Sequence, residues 1–224
     1  MAEAARKASP AAAEELRLPP GRHGLPRAYV AENQRERILN GVVEAVGEHG
    51  YEGTTIARIV EAAGISRRTF YEHFEGKEDC FLAAYDMIDA HVREAMLAAP
   101  GAAAPWPERV APRLAALLDV LARDAVVTRC YLAEPLAAGG EVSARYREAM
   151  RLLATTLRSE PPPSDHDLEV RDRVTMGGVT TLLLRRLNAG AIDRLPELLP
   201  DLVELVLAPY TGREEAKRLA RDAA

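Results

Sequence analysis

The chain has 224 residues, enough for one large domain or two small ones, and hydrophobic residues make up 48% of it, which argues against wholesale disorder. Its formal net charge of −5 argues against a protein that coats nucleic acid with its whole surface, but leaves room for a local basic face. Alanine, leucine and arginine are abundant and aromatic residues are few, which favours an all-α fold.

The first 26 residues are rich in Ala, Pro and Gly, and basic side chains outnumber acidic ones among them. This composition predicts a flexible basic arm over residues 1–26. Apolar residues then recur on one face of a helix between Ile38 and Val46, and Gly50 ends that helix.

Two short helices are predicted next, over residues 56–63 and 66–74. Their ends are marked by capping and helix-breaking residues, in chain order Thr54-Thr55, Gly64, Ser66 and Gly76. Two short helices joined by a tight turn that contains glycine are typical of a helix-turn-helix. Gly64 suits this turn because glycine readily adopts the positive φ that lets one helix stop and the next begin at a steep angle.

Longer helices are predicted over the rest of the chain, at about residues 77–98, 110–121, 142–157, 167–189 and 195–210. A short helix around Tyr131 and Leu132 ends near Pro135 or near Gly139-Gly140, and the charged tail from Arg213 has some helical character. No strand pattern interrupts these segments, so the prediction is an all-α fold.

Cys80 and Cys130 are the only cysteines, and they form neither a Cys-x-x-Cys pair nor a zinc-binding pattern, which fits a reducing compartment. The first residues lack the apolar region of a signal peptide, and no uncharged apolar run reaches the roughly 18 residues that a membrane helix needs. We therefore expect a cytoplasmic protein with no membrane partner.

The second short helix combines the groups that a DNA-reading helix needs. Ile59, Ala63, Ile65 and Phe70 are predicted to pack inward, which leaves Arg67, Arg68, Thr69, Tyr71 and His73 outward. Arginine reads guanine O6 and N7 with two hydrogen bonds, whereas hydroxyls, imidazole and lysine hold phosphates. Helix N-termini at Thr55 and Lys77 would add partial positive charge toward the DNA backbone.

The segment from Gln34 to Tyr85 resembles the TetR family of bacterial transcriptional repressors. The resemblance rests on pieces that recur in the family's order and spacing, namely Gly50-Tyr51, Thr54-Thr55, Ile59, Ala63-Gly64-Ile65-Ser66, Thr69, Tyr71, His73-Phe74 and Lys77-Glu78. It implies an N-terminal three-helix helix-turn-helix domain over residues 27–76, a C-terminal helical ligand-binding and dimerisation domain over residues 77–212, and a charged tail over residues 213–224.

The resemblance also implies roles for single residues. Arg67 and Arg68 are predicted to read bases, and Arg22 and Arg27, in and next to the arm, to enter the neighbouring minor groove. Groove-edge or phosphate contacts are expected from Thr54, Thr55, Ser66, Thr69, Tyr71, His73 and Lys77. Two alternatives stay open: His73 is also compatible with a structural role, and Glu72 either accepts from a cytosine amino group or pairs with a neighbouring arginine.

In the C-terminal part, the resemblance implies a homodimer whose last two long helices form a four-helix bundle with their mates. The predicted interface comprises Gly178, Leu182, Leu198, Leu202, Leu205 and Val206. A cavity for a small apolar or amphipathic ligand is expected among Met96, Trp106, Leu117, Leu121, Arg129, Tyr131, Tyr146, Met150 and Met176, any of which could instead be plain core. The Gly177-Gly178 pair indicates either a close helix contact or a bend.

These features predict a sequence-specific regulator of transcription, a ligand-released repressor that binds a palindromic operator in double-stranded DNA. The alternative is an activator or a ligand-independent regulator of the same fold. No catalytic triad order, phosphate loop or nucleotide fingerprint occurs, and neither Asp165-His166-Asp167 nor His91 with Glu94 has metal-site spacing. We therefore predict no enzymatic activity, no cofactor and no metal.

Overall fold

The computed structural model describes residues 26–158 and 167–223, and in this part of the chain every regular element is helical. The predicted all-α fold is thereby confirmed. The predicted arm lies outside the described residues, apart from Pro26, and so do the side chain of Arg27 and the pair Asp165-His166. The helices in order are α1 Arg27–Gly53, α2 Ile56–Ala63, α3 Arg67–His73, α4 Lys77–Leu97, α5 Trp106–Ala122, α6 Ala125–Leu132, α7 Glu134–Ala138, α8 Gly140–Arg158, α9 Asp167–Asn188, a 3₁₀ helix Ile192–Leu198, α10 Leu199–Thr211 and α11 Arg213–Asp222.

The ends of the first helices follow the predicted caps. Gly50 has φ +70° and interrupts the regular geometry of α1. The Thr55 hydroxyl accepts from the backbone N–H of Arg58 at the start of α2, and Gly64 adopts the left-handed conformation, with φ 61°, at its end. Ser66 caps α3 through the N–H of Thr69.

The helix that carries Tyr131 and Leu132 ends at Leu132, close to Pro135 as predicted, and Pro135 stands in the first turn of the next helix, α7. One element differs from the predicted pattern. Residues 192–198, which include Pro196, form a 3₁₀ helix, so that α10 begins at Leu199 rather than at Leu195.

The described residues divide into two compact units, of which the first comprises residues 26–88 and 129–143. Helix α1 packs on α2 and α3 through side chains that are fully buried, namely Ile38, Val42, Val46, Ile59 and Phe70. The crossing of α1 and α2 is closest at Gly41, where an added Cβ would lie 2.8 Å from the backbone nitrogen of Ala63.

The segment 129–143 packs within this first unit, although it lies inside the predicted ligand-binding domain. Tyr131 stacks on Tyr85 with 5.5 Å between ring centroids. A Glu134 carboxylate oxygen accepts the backbone N–H of Tyr51 at 2.8 Å. These contacts join residues more than forty positions apart in sequence, which helical periodicity does not predict.

The second unit comprises residues 89–128 and 144–223. Its core is built from α5, the C-terminal part of α8, α9, α10 and α11. The predicted tail is part of it, because α11 packs on α10 and buries Ala216, Leu219 and Ala220. Within the described ranges, no helix combines the length and the apolar composition needed to cross a membrane.

Candidate nucleic-acid interface

Helix α3 has one buried face and one exposed face. Phe70 is 0% exposed and anchors the helix in the first unit, and it contacts the Tyr71 ring edge-on. Tyr71 is 57% exposed, and Arg67 and Arg68 are exposed as well. The helix therefore presents two guanidinium groups and a phenol on one accessible surface.

The two arginines differ in their surroundings. The Nε of Arg68 lies 3.1 Å from a carboxylate oxygen of Glu72, and the two side chains are 89% and 54% exposed. Of the two roles left open for Glu72, the structure therefore shows the one in which it pairs with a neighbouring arginine. Among the residues that the structure describes, no ion pair joins Arg67.

The hydroxyl groups at the start of α3 serve as caps and stay accessible. The Ser66 hydroxyl accepts from the N–H of Thr69 at 3.0 Å and lies 2.9 Å from the Thr69 hydroxyl. At the start of α2, the exposed Thr55 hydroxyl accepts from the N–H of Arg58. These hydroxyls retain the capacity for a further hydrogen bond, since a hydroxyl offers one donor and two acceptor positions.

The structure corrects the prediction for Thr54. This residue is 2% exposed, and its hydroxyl donates to the backbone carbonyls of Ala45, at 3.0 Å, and Gly50, at 2.7 Å. Because the hydroxyl is buried and its proton is already used, Thr54 ties the end of α1 together and has no accessible group for a phosphate.

Lys77 and His73 also make contacts inside the first unit. The Lys77 ammonium donates to the Tyr51 carbonyl at 2.9 Å and lies 4.3 Å from the centroid of the Tyr51 ring. His73 is half-buried, with Nε2 3.5 Å from the side-chain oxygen of Gln34. Both residues thus have a structural role, whereas the side chain of Arg27 lies outside the described residues.

Arg37 is a residue of this site that sequence reasoning missed. Its guanidinium donates to the carbonyls of Ala63, at 2.7 Å, and Gly64, at 2.6 Å, which form the end of α2. The last carbonyls of a helix lack internal donors, so Arg37 holds the turn between α2 and α3 in place. The two partners are 26 and 27 positions away, and no local signal in the sequence marks the contact.

The residues predicted to line a ligand cavity are not brought together. Trp106 and Met176 line a cavity of about 20 Å³ in the second unit. Met96, Leu117, Leu121, Tyr146 and Met150 are buried core residues and do not line it. Arg129 and Tyr131 belong to the first unit.

The cavity contains a polar cluster that was not predicted. The Tyr210 hydroxyl donates to Asp172 at 2.6 Å, and an Arg158 nitrogen lies 3.1 Å from the same carboxylate. Burial, and then the hydrogen bond to Asp172, raise the pKa of Tyr210. The Trp106 ring stands edge-on to Tyr210 at 5.8 Å.

The predicted dimer interface is also revised. Leu198, Leu202 and Val206 are 4%, 0% and 5% exposed, so they belong to the core of a single chain. Leu182 and Leu205 are half-buried, and an added Cβ on Gly178 would lie 3.0 Å from Leu205. Gly178 therefore marks a close contact between α9 and α10 and not a bend.

A different face of α9 is exposed. Val170 and Val174 are 60% and 71% exposed, and Gly177 and Thr181 follow on the same helix face and are also exposed. An added Cβ on Gly177 would have no neighbour within 4 Å. The sequence shows the apolar stripe of α9, but only the packing of the chain shows which part of this stripe is buried and which part is exposed.

No group of three or more His, Cys, Asp or Glu side chains suited to a metal ion occurs among residues 26–158 and 167–223. His91 and Glu94 are neighbours on α4, and burial lowers the pKa of His91 although Glu94 acts in the opposite direction.

Comparisons with known proteins agree with the geometry of α2 and α3. The sequence model described as "Bacterial regulatory proteins, tetR family" matches residues 38–84. The HTH-type transcriptional repressor AcnR of Corynebacterium diphtheriae is 30% identical over 183 residues, which cover 76% of this chain and 90% of that protein. AcnR of Corynebacterium glutamicum is 49% identical over 51 residues, and this match spans 23% of this chain and only 27% of that repressor's length.

A solved structure shares the fold over most of the chain. FadR from Bacillus subtilis, a transcriptional regulator crystallised in complex with stearoyl-CoA, superimposes with a TM-score of 0.60 over 79% of this chain and 97% of its own, at 19% identity. The long match to AcnR of C. diphtheriae, together with the family model over the helix-turn-helix, confirms the resemblance stated from the sequence. The chain therefore belongs to the TetR family of bacterial regulatory proteins, whose members act on transcription by binding DNA and are not enzymes.

Proposed function

We propose that this chain is a sequence-specific repressor of transcription that acts in the cytoplasm, as a homodimer on a palindromic operator. The proposal rests on one observation: helix α3 buries Phe70 against the first unit and exposes Arg67, Arg68 and Tyr71 to solvent. In a helix-turn-helix the second helix lies in the major groove, where arginine reads guanine.

Within residues 27–76, the DNA contacts divide by chemistry. Arg67 and Arg68 read bases, while Ser66, Thr69, Thr55 and Tyr71 contact the sugar-phosphate backbone. Thr54, Lys77 and His73 support these residues from inside the domain. Arg27 would contact the minor groove next to the operator half-site.

Residues 77–212 would supply the dimer contact. A palindrome calls for a two-fold axis that relates two recognition helices. The exposed face of α9, with Val170, Val174, Gly177 and Thr181, is apolar and free of bulky side chains near Gly177, so a second copy could approach closely there. This face is continuous with Leu182 and Leu205, which are half-buried in one chain.

The effector would be a small apolar or amphipathic molecule that binds in the second unit and releases the DNA. Trp106 and Met176 offer apolar walls, and the Asp172 cluster offers polar groups. A cavity of about 20 Å³ holds roughly one water, so the ligand would bind a more open conformation of this unit. Release requires that the ligand favour a state that binds DNA less well, for example one with α4 displaced.

The small size of the cavity beside Trp106 favours a second candidate, a regulator or activator that acts without a ligand, whereas a more open groove of about 570 Å³ beside Pro112, Ala115 and Leu219 offers a ligand more room. Titration of the operator complex with fatty acyl-CoA esters and with free fatty acids separates the two candidates. Release at saturation supports the ligand-released repressor, whereas unchanged DNA affinity with every probe supports the second candidate.

The proposed reading of DNA is tested by Arg67→Ala combined with Arg68→Ala. A site is first selected from a random duplex library by the purified chain, and affinity is then measured for that site and for random DNA. Each lost bidentate arginine–guanine contact is worth about 1–3 kcal/mol, so specific affinity should fall by at least about thirtyfold.

The matched control is Arg213→Ala with Arg221→Ala, which removes the same charge from exposed positions on α11. The control should retain most of the preference for the selected site. Equal losses in both double variants, or a wild-type chain that selects no sequence, would contradict the proposal.

A further inference from the structure

Helix α3 carries a carboxylate on the helix that would face a polyanion. Glu72 is the one acidic residue between Arg67 and His73. Its side chain is 54% exposed, so it is not held there by burial. Phosphates would repel this charge, which raises the question of what Glu72 contributes to a DNA-reading surface.

The contact with Arg68 supplies an answer. Glu72 accepts a hydrogen bond from the Nε of Arg68 at 3.1 Å, one helical turn away. Arginine carries five N–H donors in a rigid planar fork, so this bond leaves the two terminal nitrogens free. Those two nitrogens are the ones that can engage guanine O6 and N7 together.

The pair also changes the charge that α3 presents. With Glu72 beside it, Arg68 forms a nearly neutral unit, whereas Arg67 has no ion-pair partner in the described part of the chain. A neutralised arginine adds little affinity for DNA phosphates, whatever the base sequence, because nonspecific affinity depends on net cationic contacts. Arg68 can still add affinity for a guanine, because that contact depends on hydrogen-bond geometry.

We infer that Glu72 is a specificity-determining residue that acts through Arg68, orienting its guanidinium toward a base edge and suppressing its attraction to phosphates. The inference rests on the proposed function, since it assumes that α3 reads DNA. An exposed i, i+4 ion pair contributes little to stability, so Glu72→Gln should fold like the wild type.

The test uses the full chain and two probes, a duplex selected by the wild type from a random library and a random-sequence duplex of equal length. In Glu72→Gln, the ratio of specific to random affinity should fall by about fivefold or more, the low end of one bidentate contact. Binding to random DNA should tighten, and its salt dependence should steepen by about 0.9 in log–log slope, since Arg68 becomes free for one phosphate.

Glu75→Gln is the matched control, because Glu75 is exposed, lies three residues away and undergoes the same charge change. It should leave the ratio unchanged. A double-mutant cycle with Arg68→Ala shows whether Glu72 acts through that arginine: in the Arg68→Ala background, Glu72→Gln should no longer lower the ratio.

The possible outcomes distinguish a failure of the proposed function from a failure of the inference about Glu72 alone. If the wild type selects no sequence, the proposed function fails and this inference fails with it. If the wild type selects a site but Glu72→Gln keeps the wild-type ratio, or falls no further than Glu75→Gln, the inference alone is overturned. A loss of specificity that persists without Arg68 would equally overturn it.

Discussion

Gly41→Ala tests the packing of α1 against α2, on which the position of the recognition helix depends. The added methyl would lie 2.8 Å from the Ala63 nitrogen, 2.9 Å from the Ala63 Cβ and 2.9 Å from the Ile59 carbonyl oxygen. All three atoms belong to the backbone or to a Cβ, so no flexible side chain can move aside. The two helices must therefore separate by several tenths of an ångström.

Two effects of opposite sign compete in this variant. Alanine is favoured over glycine inside a helix by about 1 kcal/mol. Overpacking a close contact costs typically about 1–3 kcal/mol, and the backbone character of the contact places Gly41→Ala in the upper part of that range. We expect a net loss of about 1–2 kcal/mol in the free energy of unfolding.

Urea unfolding followed by far-UV circular dichroism measures this loss as a lower midpoint. Gly53→Ala is the control at the C-terminal end of α1, beyond the interruption at Gly50, because its added Cβ would lie 3.6 Å from the His49 Cβ, an ordinary contact. The control should be neutral or slightly stabilised. A midpoint for Gly41→Ala that rises as much as that of Gly53→Ala would refute the reasoning.

Three further predictions concern the buried hydroxyls and the exposed face of α9. Thr54→Val removes the buried hydroxyl's hydrogen bonds to the carbonyls of Ala45 and Gly50 and should cost about 1–2 kcal/mol in urea unfolding, while the salt dependence of DNA binding stays that of the wild type; a shallower salt slope would restore Thr54 as a phosphate contact. Because burial and Asp172 raise the pKa of Tyr210 in the folded chain, the unfolded chain releases this proton first, and stability should fall as pH rises above about 10. Tyr210→Phe should remove that part of the fall, and an unchanged pH profile would count against the assignment. Val174→Glu places a charge on the proposed dimer face and should give a monomer in sedimentation velocity at concentrations where the wild type is a dimer, whereas a dimer of undiminished affinity would exclude this face.

The sequence by itself determined the local features of the DNA-binding helices. Thr55 and Ser66 cap helices through N–H groups three residues away, and Gly64 makes its turn through its own φ. Such features are decided within one helical turn, so their signals lie in adjacent letters of the sequence. The same holds for the orientation of α3, because Arg68 stands two residues before Phe70, which places the two side chains on opposite sides of a helix.

Only the tertiary structure decided which groups remain free to act. Periodicity identifies an apolar face but not the element that covers it, so Leu198 and Leu202 were predicted at an interface and lie in the core, while Val174 is exposed. Polar side chains behave in the same way: Lys77 and Thr54 look like phosphate ligands by type, yet they bond backbone carbonyls inside the first unit. Such contacts join residues distant in sequence, and their energy depends on burial and geometry that exist only after the helices have packed.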